Sequence, residues 1–322
     1  MKAKHVLTQL LIAMTLVLVA GVSFAGSFPS KDIRIIVPFK PGGAVDTTSR
    51  IIAEYAKKHL DGVEIKVENR AGGGGVVGQT FAANSKADGY TILAMTSSVV
   101  TNPKLKQVSY KVSDFQPVAL YTMDPEVIAV PANSPYKNIE EFIAAAKKKA
   151  LKVAEAGMGT SHHLSGLAAV DKGGVKMNFI HTKGFGAQLQ ALLGGHVDAT
   201  LWPYGEAKSH ADSGSIRILA VASDRPLESA PDLPTWNAAG LGIKEWTTFR
   251  GWAVPAGTPK EAVAFLADLL GKVNQDSEYV ARMKQQGYPL AYRDAAGYAA
   301  VIANYDELTN LVINNNKLGN KK

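Results

Sequence analysis

The chain has 322 residues, 46% of them hydrophobic and 20% charged, with a formal net charge of +7 and no cysteine. That is enough apolar material for one large domain or two ordinary ones, and the missing thiols exclude disulfides, thiolate metal sites and cysteine nucleophiles. The mild positive excess suits a small anionic ligand and not nucleic acid, because no Lys/Arg stripe carries interleaved aromatics.

In chain order, residues 1–25 read as a secretory signal. Lys2 and Lys4 start it, an apolar run spans 10–22, and Ser23-Phe24-Ala25 closes it with small residues. The run is short for a membrane span, and cleavage after Ala25 would take Lys2 and Lys4 away, leaving +5. Beyond it, strand and helix patterns alternate. A strand is expected at 33–37, then a helix at 47–59 with apolar Ile51, Ile52, Tyr55 and Ala56. A strand at 63–67, a helix at 76–85 and a strand at 90–95, entered through Asp88-Gly89, follow. This β-α-β-α-β order predicts a parallel sheet with helices on both faces.

Two extended segments, 118–121 and 127–130, lead to a helix at 139–150 capped by Asn138, whose Lys147-Lys148-Lys149 end reads as solvated. The α/β grammar then repeats: strand 151–154, turn 157–160, helix 162–172, strand 177–180, helix 185–193 closed by Gly194-Gly195, and strands 197–201 and 216–222. Pro226, Pro231 and Pro234 break the pattern. A strand at 252–254 and helices near 259–273, 277–286 and 295–313 complete the chain. Two α/β units without a flexible tether predict a ligand crevice at their strand ends.

Two glycine-rich turns follow strands and open helices. In Val37-Pro38-Phe39-Lys40-Pro41-Gly42-Gly43, the glycines clear the backbone, and Asp46 and Thr47 are candidate caps. The unpaired N–H groups of a helix start bind carboxylate or phosphate; a plain tight turn is the alternative. Gly157-Met158-Gly159-Thr160-Ser161-His162-His163 is the second turn and adds hydroxyl donors. One turn per unit could hold two ends of one ligand.

His162 and His163 point about a quarter-turn apart on a helix and lack the His-Glu-x-x-His pattern. No metal is expected there, but one packed histidine and one at the cleft or surface. Gly73-Gly74-Gly75-Val76-Val77-Gly78 matches G-x-G-x-x-G, yet it follows the second strand and lacks the acid about twenty residues on. It reads as a turn that starts the next helix near the cleft, and no cofactor is expected. There is no G-x-S-x-G, and Ser165 lies inside a helix pattern. Asp46, Thr160 and His163 would meet as a triad only by accident of folding, so an exported hydrolase or lyase using His163 and Asp46 is the alternative to a binding protein.

Several motifs, in order along nearly the whole chain, resemble a known family: Pro38-Phe39-x-Pro41-Gly42-Gly43-x-x-Asp46, Glu68-Asn69-Arg70-x-Gly72-Gly73-Gly74, Asp88-Gly89-Tyr90-Thr91 and Gly157-x-Gly159-Thr160-x-x-His163-Leu164. Leu193-Gly194-Gly195-His196-Val197-Asp198, Pro231-Asp232-Leu233-Pro234-Thr235 and Pro255-Ala256-Gly257-Thr258-Pro259 extend the likeness. The family is that of the substrate-binding proteins of tripartite tricarboxylate transporters, the Bug receptors. The resemblance implies an α/β, two-lobed periplasmic-binding-protein fold (type 2, Venus flytrap) with a hinge crossed twice. Lobe 1 is expected at 26–123 and 223–322, and lobe 2 at 124–222. The implied role is capture of a small mono- or dicarboxylate in the periplasm and delivery to a two-subunit permease driven by ion gradients, by a monomer without enzymatic activity. A sensor with a signalling partner is a further alternative.

For the site, the resemblance implies ligand contacts from Phe39, Pro41, Gly42, Gly43 and Asp46, and from Gly157, Met158, Gly159, Thr160 and His163. Thr96, Ser97 and Ser98, with Asn102, match a segment that lines the cleft. Two departures bear on the ligand. Ile180-His181-Thr182-Lys183-Gly184 replaces a frequent Val-Pro-Tyr-Lys-Gly, and Trp202 stands where many members carry an acid. Thr182, Trp202 and Arg250 are expected at the cleft, Arg250 either as a bidentate carboxylate partner or in a surface or interlobe salt bridge.

Overall fold

Strand β1 (Ile33–Val37) reads Ile-Arg-Ile-Ile-Val and buries four of its five residues. β-branched residues covered on both faces make a central strand. The computed structural model describes residues 28–319; the expected export signal at 1–25 lies outside the described residues.

Helix α1 (Ala44–Ala56) leads to β2 (Ile65–Asn69), α2 (Val76–Ala83) to β3 (Thr91–Thr96), and α3 (Ser98–Leu105) to β4 (Phe115–Pro131). α4 (Ile139–Lys148), β5 (Leu151–Glu155), α5 (Ser161–Gly173), β6 (Met177–His181), α6 (Phe185–Leu193), β7 (Ala199–Pro203), α7 (Tyr204–Asp212) and β8 (Ile216–Val221) form a second α/β run. The chain returns through β9 (Thr247–Pro255) to α8 (Lys260–Gln275), α9 (Ser277–Gln285), β10 (Leu290–Arg293) and α10 (Ala295–Asn315).

β2, β1 and β3 are parallel, with Ile33 opposite Ile65 and Ile35 opposite Ile92. The first sheet is nevertheless mixed and not wholly parallel as expected, because β9 returns antiparallel beside β3 and β4 runs antiparallel beside β9. In the second sheet β6, β5 and β7 are parallel, while β7 and β8 lie antiparallel to β4.

β4 belongs to both sheets. Its residues up to Pro125 pair with β9, and those from Glu126 on pair with β7. Glu126 also fastens the return of the chain: its carbonyl accepts from Ala222 N at 2.7 Å and its N–H donates to Trp246 O at 2.9 Å. The two extended segments expected at 118–121 and 127–130 are therefore one 17-residue strand. Asp124, Pro125 and Glu126 resemble a break in sequence, but both acids are fully buried in polar partnerships.

Other corrections are local. α1 starts three residues before the expected 47, with extended Gly43 as its N-cap, so Asp46 and Thr47 lie inside the first turn and do not cap. Asn138 caps α4 as expected, Oδ1 accepting from Glu141 N at 2.9 Å. α3, α7 and β10 were not anticipated: α3 contains Pro103, and α7 starts directly after Pro203.

One apolar core runs under both sheets and includes Leu93, Ile128, Leu201, Phe249 and Tyr298. α10 packs on β4, α3 and α5 and so braces both. Among the described residues no helix is long and apolar enough to cross a membrane.

Candidate functional site

A cavity of about 1070 Å³ opens where the carboxyl ends of the parallel strands converge. The first sheet contributes residues 38–45 after β1, 71–75 after β2 and 96–98 after β3. The second contributes 156–158 and 160–162 after β5, 182–187 after β6, and Pro203 and Glu206 at the end of β7. Thr248 and Arg250 of β9 also line it. Loops at strand ends are free of the ladder, which is why ligand sites collect there.

The first turn is held from behind. Gly42, at φ +88°, donates its N–H to Asp46 Oδ2 at 3.0 Å. Asp46 also accepts from Asn69 Nδ2 at 2.9 Å and Arg50 Nε at 3.0 Å. Burial disfavours its charge, but these three partners outweigh that and hold the carboxyl below its ordinary range. Asp46 thus shapes the loop and does not line the cavity. The N–H of Ala44, first in α1, donates to Glu206 Oε1 across the cleft at 3.0 Å. Gly78 lets α2 start close by: a Cβ there would lie 2.7 Å from Pro38 Cα and 2.8 Å from Arg70 O. Lys106 Nζ ties down the neighbouring glycine loop through Gly73 O at 3.0 Å, and Asn102 Nδ2 through Gly74 O at 3.1 Å. Burial lowers the pKa of Lys106.

The second turn is built on fully buried Glu155, which accepts from Gly157 N and pairs with His181 Nδ1. Thr160 Oγ1 donates to Gly157 O at 2.8 Å, and Thr182 Oγ1 to Glu155 O at 2.8 Å. Gly159 is turned away from the cavity. Its N–H donates to His163 Nδ1 at 3.2 Å and its carbonyl accepts from Thr101 Oγ1 of α3 at 2.6 Å. His163 is buried against Phe179 and His181, each ring centroid 5.1 Å away. Burial, then His181 and Lys106, push it down to about 4, so it stays neutral.

His162 is the histidine that faces the cavity. Its Nδ1 lies 3.0 Å from Glu126 Oε2, while Glu126 Oε1 accepts from Thr248 Oγ1 at 2.7 Å. Burial works against its charge, but attraction and hydrogen bonding from Glu126 prevail and lift it to about 8. Arg250, 1% exposed, lines the cavity and donates from Nη1 to Asp124 Oδ2 at 2.9 Å, while its buried Nε has no partner. Desolvation raises Asp124 to about 6 despite this cation.

Of the expected contacts, Phe39, Pro41, Gly42, Gly43, Thr96, Ser97, Ser98, Gly157, Met158, Thr160, Thr182 and Arg250 come together on one cavity. Asp46, Gly159, His163 and Trp202 do not reach it. Trp202 is fully buried behind the wall, its ring centroid 5.3 Å from that of cavity-lining Phe185. Sequence reading missed His162 and Glu206 as lining side chains. Helix azimuth alone could not choose between adjacent histidines, and α7, which carries Glu206, left no strong periodic pattern. Asp46 and His163 sit in opposite walls, each bound to its own turn.

The model of the tripartite tricarboxylate transporter family receptor matches residues 48–318. BugT of Bordetella pertussis is 32% identical over 271 residues, covering 82% of this chain and 82% of that protein. The solved periplasmic binding protein BugD superposes with a TM-score of 0.82 at 30% identity, over 91% of this chain and 99% of that one. MatC from Rhodopseudomonas palustris, solved with bound malate, gives a TM-score of 0.80 at 27% identity, over 89% and 100%. The fold is that of the α/β periplasmic solute-binding proteins.

Proposed function

The chain belongs to the tripartite tricarboxylate transporter receptor family, and from that premise we propose that it is a periplasmic receptor that captures a small organic carboxylate and passes it, unaltered, to a two-subunit membrane permease. The proposed lobes are 26–123 with 223–322, and 124–222, meeting at β4 and at the return of the chain near Ala222. The observation that carries the reading is the convergence of two helix N-termini, α1 and α5, from opposite sides of one cavity. First-turn N–H groups have no partner within their helix and favour negative charge. Glu206 already occupies the Ala44 N–H. The α5 end is thus the freer grip, with the Ser161 and His162 N–H groups and the Thr160 hydroxyl beside Arg250. Hydrogen bonds to a charged group contribute about 1.5–3 kcal/mol each.

Malate in MatC supports a carboxylate as the guest class. The separation of Asp46 from His163 supports a receptor without hydrolytic chemistry. A receptor that docks on a permease is expected as a monomer.

The test is a thermal-shift panel of mono- and dicarboxylates, with and without amino groups. A binder at a hundred times its Kd should stabilise the fold by about 2.7 kcal/mol, and mass spectrometry should return it intact. A panel in which no carboxylate raises the melting temperature would overturn the reading.

A further inference from the structure

The inner wall of the cavity carries an imbalance of charge. Asp124, Glu126 and Glu206 stand against two cations, Arg250 and His162. Both cations are already committed, Arg250 to Asp124 at 2.9 Å and His162 to Glu126 at 3.0 Å. Glu206 is the acid left over. It lines the cavity, and among the described residues it forms no ion pair; the Ala44 N–H meets one oxygen at 3.0 Å. It also sits within Coulomb range of both Arg250 and His162. Exposed Lys40 and Lys183 belong to the cavity's outer lining, and Lys106 is held on the glycine loop.

A purely anionic guest would bring its charge up to Glu206 with no cation free to answer both. A guest with a positive donor beside its carboxylate meets complementary groups. Its ammonium takes the open oxygen of Glu206. Its carboxylate takes the first-turn N–H groups of α5 and the buried, unpartnered Nε of Arg250. Resting on the carboxylate reading above, we propose that the ligand is a zwitterion of the amino-acid type, with Glu206 as the acceptor for its ammonium group.

Matched pairs that differ only by an amino group test this on the purified chain: succinate with aspartate, glutarate with glutamate, 3-phenylpropionate with phenylalanine. Calorimetry should show the amino acid of at least one pair binding tenfold or more tighter than its partner. E206Q should bring that ratio close to one. If an acid without the amino group binds as tightly as its amino partner, or tighter, in every pair that binds, the zwitterion inference fails and the carboxylate reading stands. If the ratio survives in E206Q, Glu206 is not the acceptor. If no compound of either kind binds, the carboxylate reading itself falls.

Discussion

His162 and His163 are neighbours with opposite charge states, because one turns toward Glu126 and the other into an apolar wall against Phe179. The two should leave separate marks on stability. His162 is raised from 6.5 to about 8, so the native state holds a proton that the unfolded state releases. Its stabilisation is complete below the unfolded value and is lost as pH rises through about 8. A shift of that size is worth about 2 kcal/mol. His163, depressed to about 4, acts in the other direction and only below 6.5. The groups facing His162 are Glu126 from β4, Glu206 from α7 and Glu155 from β5. We expect the melting temperature to fall from pH 6.5 to 8.5 and the slope to flatten in H162Q. A variant profile parallel to the parent's would assign that slope to another group. Arg250 shows the same lesson in another form: both expected roles hold at once in the geometry, since one guanidinium pairs with Asp124 and also lines the cavity.

Among the elements, α2 is placed by the absence of a side chain. The Cβ of an alanine at 78 would collide with backbone, Pro38 Cα and Arg70 O, which has no soft way to yield. G78A should push α2 off the first turn and cost about 1–3 kcal/mol, read as a lower melting temperature with weaker ligand binding. An unchanged melting temperature would mean that the helix start shifts freely. The alternation of elements was legible because short apolar runs and helical stripes carry their own periods, as in β1 and α6. The glycine turns were legible because they mark strand ends locally. What could not be read was set by tertiary burial. Asp124 and Glu126 look like loop residues until their partners are seen, and Pro103 inside α3 argues against a helix that forms anyway. Nothing local says that Trp202 points away from the cavity, or that Glu206 reaches across it to Ala44.

At the scale of the whole molecule, both sheets share one apolar core, braced by α10. Lys104 Nζ reaches Asp306 O at 2.9 Å, and Trp246 Nε1 reaches Ser161 Oγ at 3.0 Å, so polar ties cross the same region. Trp252 belongs to the cluster under β1, Trp236 and Trp246 to the shared core, and Trp202 to the cluster under β7. All four are at most 1% exposed. Guanidinium unfolding followed by tryptophan emission and by far-ultraviolet circular dichroism should therefore give coincident transitions. Two separated midpoints would show that the halves melt independently. Asp124 and Glu126, two apart on β4, reach Arg250 and His162 from the very place where the strand passes from one sheet to the other. A molecule seated on those two cations therefore tugs directly on the pivot: recognition and bending act on one axle, with no relay through the rest of the fold.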